Sequence, residues 1–186
     1  SLGDTNGSHA WRFSVDGTHE DSFRDDASLD QQAMSARYDW HNEKIVVRNS
    51  VTATNLNQKP AAYLAGKNTY KDSELKKRNS APDAFFDAQT VNFASSVEIA
   101  GTDNSTLILT PYLRWADVNF LMYLQPGAPV AQSGYQSAGV QAAFVQHYSA
   151  VTDITSGFDL DYSEVDLQQF QKTAGPGTYF PVSDYY

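Results

Sequence analysis

The chain has 186 residues, 41% hydrophobic and 13% aromatic, with a formal net charge of -9 and no cysteine. The acidic balance argues against a nucleic-acid partner, since phosphate binding requires a basic surface, and the lack of cysteine removes disulfides, thiolate metal sites and cysteine nucleophiles together. A run of about 18 apolar residues is missing, which excludes a transmembrane helix but not a membrane barrel, whose signal is alternation.

In chain order, the first element expected is a strand from His9 to His19, with Trp11, Phe13 and Val15 on one side and Arg12, Ser14, Asp16 and Thr18 on the other. An acidic connection, HEDSFRDDASLD, leads to a second strand with Met34, Ala36, Tyr38 and Trp40 opposite Ser35, Arg37 and Asp39. The tight turn His41-Asn42-Glu43-Lys44 follows. A third strand from Ile45 sets Val47, Val51 and Ala53 against Arg48, Ser50, Thr52 and Thr54, then runs out into NLNQKP. Residues 59–82 carry no sustained period and predict a long loop, with a short helical turn around SELKKR.

The fourth strand places Val91, Phe93, Val97 and Ile99 opposite Thr90, Asn92, Ser96 and Glu98, and closes at Gly101-Thr102-Asp103-Asn104. The fifth, LILTPYLRWADVNFLMYLQPG from Leu107 to Gly127, is the longest. Leu107, Leu109, Leu113 and Trp115 share one face, Thr110, Tyr112 and Arg114 share the other, and Pro126-Gly127 is expected to stop it. After a loop, PGAPVAQSG, a sixth strand carries Val140, Ala142 and Phe144 against Ser137 and Gln141. A seventh, beyond a short turn near Ser149, carries Ile154, Phe158, Leu160 and Tyr162 against Thr155, Asp159, Asp161 and Ser163, before the chain leaves into TAGPGTYFPVSDYY.

Connections thus alternate between long and short. Outer-membrane barrels have short periplasmic turns and longer outer loops, so HNEK, GTDN and the Ser149 turn are expected at one end and the longer stretches at the other. Trp11, Trp40, Trp115, Tyr123 and Tyr148 are candidates for interfacial aromatic girdles. A soluble, secreted antiparallel sandwich that binds or hydrolyses carbohydrate alternates for the same reason and stays open as the alternative. The two differ in what the apolar faces touch, which is lipid in one and a second sheet in the other.

Four segments carry a family resemblance: NLNQKPAAYLAGKNTYKD from Asn55, RNSAPDAFFDA from Arg78, FLMYLQPGAPVAQSGYQSAGVQ from Phe120 and GFDLDYSEVDLQQFQ from Gly157. In this order they resemble the middle of the barrel of a TonB-dependent outer-membrane receptor. The resemblance implies an all-β, antiparallel up-and-down transmembrane barrel of 22 strands in the bacterial outer membrane. It implies a plug domain, and active uptake of a ferric siderophore or similar scarce nutrient with energy passed on by TonB. On this reading residues 1–186 are a partial barrel domain of about seven strands. A plug-like region and a TonB-contacting box near Ser1 are not expected within the segment, a signal peptide would be removed or lie outside it, and Tyr186 falls in an outer loop.

The long loop offers Tyr63, Lys67, Tyr70, Lys71 and Arg78, with Lys76 and Lys77, and this mixture of cations and rings suits an anionic, ring-bearing metal chelate. Loop lysines equally suit lipopolysaccharide phosphates. Arg37, Arg48, Tyr112, Arg114, Asp159 and Asp161 are expected to face the lumen and the plug. Asp153, Asp159 and Asp161 share a face at a spacing that overlaps an inverting glycosidase, but no partner lies at a defined spacing, and a solvated wall explains them. His9, His19, His41 and His147 form no metal motif, and no P-loop, dinucleotide fingerprint or nucleophile elbow occurs. The expectation is a transporter that is not an enzyme and has neither cofactor nor metal site.

Overall fold

The computed structural model describes residues 1–101, 104–149, 151–172 and 179–185. They form a single nine-stranded antiparallel sheet in which every strand pairs with its neighbours in sequence. The strands are β1 (Leu2–Asn6), β2 (His9–Asp21), β3 (Ser28–His41), β4 (Ile45–Lys59), β5 (Phe86–Ala100), β6 (Ser105–Leu121), β7 (Val130–Ser149), β8 (Thr152–Lys172) and β9 (Tyr179–Tyr185). None of the helices in the described residues is long and apolar enough to cross a membrane.

The seven expected strands are present as β2 to β8, most of them longer than the alternation indicated. Two more flank them, β1 and β9. β6 ends at Leu121, well before Pro126-Gly127, which sit inside the β6–β7 loop, and β7 begins at Val130 within the stretch read as loop. The physical reason is the reverse turn itself. Met122 donates its N–H to Pro129 O at 2.8 Å, and Gly127 takes φ +80°, so the chain folds back before the apolar run is exhausted. The only helix proper in the long loop is a 3-10 turn at Thr69–Lys71, upstream of SELKKR. SELKKR itself forms consecutive hydrogen-bonded turns, with Lys76 N–H on Asp72 O at 3.1 Å, Lys77 N–H on Glu74 O at 3.1 Å and Arg78 N–H on Leu75 O at 3.2 Å, begun by Asp72 Oδ1 accepting from the N–H groups of Glu74 and Leu75 at 2.9 Å.

Register turns the separate alternations into one surface. Paired residues in an antiparallel ladder share a face, so Phe13, Ala36, Val51, Phe93, Leu113, Ala138 and Tyr162 form one cross-sheet row. Val15, Met34, Ala53, Val91 and Trp115 form the row beside it. Trp40, Val47, Val97, Leu109, Ala142 and Phe158 form another, toward the short turns. Between the outer rows the band is interrupted at Asn49 and Ser95, beside Pro111. The β5–β6 ladder skips Ser95 and Ser96 there, because proline has no N–H to give. From Val91 to Ile99 the band spans eight residue steps, roughly 27 Å along the strand and about 20 Å in height at barrel tilt, close to the apolar band of an outer-membrane barrel.

These rows are open to the surroundings. Leu113 is 56% exposed and Phe158 60%, and among the described residues no second sheet covers them. The two-layered sandwich is therefore corrected: it needs a facing sheet, and all nine strands belong to one. The ends of the strands joined by Gly7–Ser8 and by residues 42–44, together with the β5–β6 and β7–β8 ends, lie at one end of the sheet, and residues 22–27, 60–85 and 122–129 lie at the other. A tight turn is built by Asn42, whose Oδ1 accepts the N–H groups of Lys44 and Ile45 at 2.9 and 2.8 Å.

Candidate functional site: a polar wall beneath a docked loop

The face opposite the apolar band carries most of the charge, and its densest cluster spans β6, β7 and β8. Tyr112 and Arg114 alternate on β6, Ser137, Gly139 and Gln141 on β7, and Asp159, Asp161 and Ser163 on β8. Arg114 sends Nη2 to Asp161 Oδ2 at 2.5 Å and Nε to Ser137 Oγ at 2.9 Å. Its guanidinium stands 4.9 Å from the Tyr112 ring centroid and 5.8 Å from that of Tyr135. The Tyr112 hydroxyl donates to Asp161 Oδ2 at 2.7 Å, Gln141 donates Nε2 to Asp159 Oδ2 at 2.9 Å, and Ser163 bonds Asp161 Oδ1.

Gly139 makes this arrangement possible. A Cβ there would stand 2.3 Å from Cζ of Tyr112 and 2.7 Å from Leu160 O, so the phenol ring lies flat across the bare backbone of β7. The cluster borders an open concavity of about 570 Å³ that also reaches Ser50, Thr52 and Asn92. Chemically it is a hydrogen-bonding wall with one guanidinium set against two carboxylates. The described residues contain no group of three or more histidines, cysteines and acids placed to bind a metal.

Of the expected polar-face residues, Tyr112, Arg114, Asp159 and Asp161 thus converge in one network. Arg37 and Arg48 share the face but not the network: Arg37 pairs with Asp39 at 2.8 Å and Arg48 pairs with Glu98 across the β4–β5 ladder. Asp153 lies on the same face toward the short turns, 2.9 Å from Nδ1 of His147. Tyr135 and Gly139 were not singled out by sequence. Their place on the same face of β7 was readable, but their meeting with Tyr112 and Arg114 needed the register.

The loop residues Tyr63, Lys67, Tyr70, Lys71 and Arg78 all lie on the β4–β5 connection at the long-loop end. Tyr63 and Tyr70 are 69% and 64% exposed, and the Lys71 amine sits 5.7 Å over the Tyr70 ring. Arg78 contributes differently, because its carbonyl anchors the loop by accepting Nε of Arg24 at 3.1 Å. Nη2 of Arg24 also reaches Ala62 O at 2.8 Å. Buried Asn79 completes the clasp, its Oδ1 accepting the N–H groups of Ala62 and Ala81 at 3.1 and 3.0 Å, while Asp25 N–H reaches Lys77 O at 2.7 Å. Arg24 and Asn79 were missed by sequence: Arg24 sits in an acidic connection, and Asn79 lies in the RNSAPDAFFDA segment without a role that its spacing could assign. Asp72, in this loop, has its carboxyl held below the ordinary range by the N–H groups of Leu75 and Glu74.

A single sheet with a lipid-height apolar band, a polar opposite face, and long and short connections segregated to its two ends defines a section of a membrane β-barrel wall. Comparison with solved structures makes the class specific. The ferric citrate transporter FecA in its unliganded form superposes with a TM-score of 0.80 over 95% of this chain, at 9% identity. FpvAI in its complex with pyocin S2 gives 0.75 over 96%, also at 9%, and BauA, the ferric preacinetobactin receptor from Acinetobacter baumannii, gives 0.66 over 97% at 10%. The chain spans 27%, 29% and 30% of their respective lengths. No family model matches it, and no curated protein matches it in sequence. The fold is that of a barrel section of TonB-dependent outer-membrane receptors, in keeping with the resemblance carried by its sequence segments.

Proposed function

We propose that residues 1–186 form nine consecutive strands of a 22-stranded barrel in the bacterial outer membrane, belonging to a TonB-dependent receptor that imports a ferric siderophore or similar metal chelate. The observation that carries this reading is the register-aligned apolar band, set against a polar opposite face in a fold shared with FecA and BauA. On this reading the polar face is the lumen wall. The Arg114–Asp161 network, with Arg37, Arg48, Tyr112 and Asp159, meets the plug domain through hydrogen bonds that a water-filled lumen keeps exchangeable. TonB acts through that plug and does not touch this segment.

The outer loop is the entry surface. Tyr63 and Tyr70 offer ring faces, and Lys67, Lys71 and Arg78 add positive charge on an otherwise acidic chain, a combination suited to an anionic chelate with aromatic or carboxylate donors. The role is transport without catalysis. The test is uptake of radiolabelled ferric citrate and a ferric catecholate by cells carrying or lacking the full-length protein, with and without a proton-motive force. Uptake that requires the protein and the force, and falls on Lys67→Gln/Lys71→Gln substitution, is expected. Uptake of neither chelate would remove the proposed ligand class, and uptake indifferent to the force would remove the TonB coupling.

A further inference from the structure

The membrane-facing side of the sheet changes chemistry abruptly at its long-loop end, and there it forms a concavity of about 450 Å³. Its lower wall is the apolar row of Val15, Met34, Ala53 and Val91, ending at Trp115. Its upper wall is the next row in register, Gln32, Asn55 and Gln89, which continues to Asp117. Asn55 donates Nδ2 to Gln32 Oε1 at 2.6 Å, so the amides are aligned with each other, while Gln32 and Gln89 are exposed. Trp115, 38% exposed, turns part of a flat ring toward the same space.

The charge on this face is mostly negative. Asp30, Asp87, Asp117 and Asp166 fall on it above the apolar band by register, and Glu164 stands in the row of Trp115. Among the described residues its only lysines or arginines are Lys59 and Lys172, the last residues of β4 and β8 at the loop end; Arg12, Arg37, Arg48 and Arg114 are on the opposite face, and the other cations lie in turns and loops. A phosphate headgroup is bound by arginine and lysine, and here it would meet carboxylates instead. Amides and carboxylates beside an indole are the partners of sugar hydroxyls and of the apolar face of a pyranose ring.

We propose that this crevice binds a glycolipid of the outer leaflet whose headgroup is a phosphate-free sugar. The acyl chain lies along Val15, Met34 and Val91, and the sugar ring lies on Trp115 with its hydroxyls on Gln32, Asn55 and Gln89. The proposal rests on the membrane reading above, and the experiment separates the two. The full-length protein is reconstituted in phosphatidylethanolamine vesicles containing either a neutral glycosyl diacylglycerol or bisphosphorylated lipid A, with brominated acyl chains as a tryptophan quencher. Quenching is expected in both. The thermal midpoint, followed by the folded-to-unfolded shift in gel migration, rises with the glycolipid and not with lipid A. The rise disappears in Gln32→Leu/Asn55→Leu/Gln89→Leu, and the preference reverses in Asn55→Lys/Gln89→Lys.

Equal or greater stabilisation of the wild type by lipid A overturns the proposal, as does a triple variant that keeps the glycolipid effect. Should the triple variant not fold, the lysine pair decides, and an unchanged preference overturns it. A midpoint that follows protein concentration instead of glycolipid content would assign the face to a second copy of the chain. Quenching without a glycolipid effect defeats this proposal alone, whereas absent quenching defeats the membrane reading with it.

Discussion

Replacing Asn79 with alanine tests whether the β4–β5 loop is a docked structure or a tether. Asn79 is 9% exposed and accepts two backbone N–H groups, those of Ala62 and Ala81. Ala62 is 3% exposed, so its N–H would be left without water or partner, whereas Ala81 is half-buried and recovers some hydration. A buried donor without a partner costs about 1–3 kcal/mol, and the second, partly hydrated one less, giving a local loss of about 2–4 kcal/mol. The loss falls on loop opening, since the sheet ladders do not involve Asn79. Lys67, Lys71, Lys76, Lys77 and Arg78 are tryptic sites on this loop. When reclosing is faster than cleavage, cutting follows the open population, so Asn79→Ala should be cleaved there roughly 30 to 800 times faster than wild type, at an unchanged midpoint for the barrel. Asn79→Asp keeps the acceptor and loses only the 3.5 Å donation to Asp26 O, so it should stay near wild type. An Asn79→Ala protein cleaved at the wild-type rate would refute the clasp.

Four further outcomes are expected. Leu113→Arg places a charge on the apolar band and, on the proposed membrane reading, should lower folding stability in lipid by about 2–4 kcal/mol in a denaturant titration, whereas Thr110→Arg on the polar face should change it little; equal effects would mean that the faces are assigned wrongly. Gly139→Val drives the Tyr112 ring off β7 and out of reach of Asp161, so the folded fraction on refolding into detergent should fall, and a wild-type yield would show the glycine to be dispensable. Arg24→Gln withdraws the guanidinium from the carbonyls of Arg78 and Ala62 and should speed tryptic cutting of the loop as Asn79→Ala does, with little gained by combining the two if they close one clasp. Because the Asp72 carboxyl lies below its ordinary value of 3.8 in the folded loop, its contribution is present above that value and lost as pH falls through the lowered one. Hydrogen-exchange protection of the Glu74 and Leu75 amides, corrected for intrinsic rate, should drop over that acidic range in wild type and be weak at every pH in Asp72→Ala.

Much of this architecture is local and was therefore written in the chain. A strand turns successive side chains to opposite sides, so Trp11-Phe13-Val15, Val91-Phe93 and Leu107-Leu109 announced both their strands and the face each would share. Turn chemistry is equally local, and Asn42 marked its hairpin through the reach of its own side chain. The alternation of long and short connections followed from the positions of those turns. β1 and β9 escaped because LGDTN has no alternation and YFPVSDY contains a proline; both are short strands at the sheet edges, held by the ladders of β2 and β8. Register belongs to pairs of strands, and only the assembled sheet decided it. It brought Tyr112 of β6, Gly139 of β7 and Asp161 of β8 together from positions up to 49 residues apart, and it set the Gln32–Asn55–Gln89 row directly above Trp115. The Arg24 and Asn79 clasp has the same origin. Backbone carbonyls and N–H groups carry no sequence signature, so which of them a buried amide or guanidinium will satisfy is settled only when two loops meet.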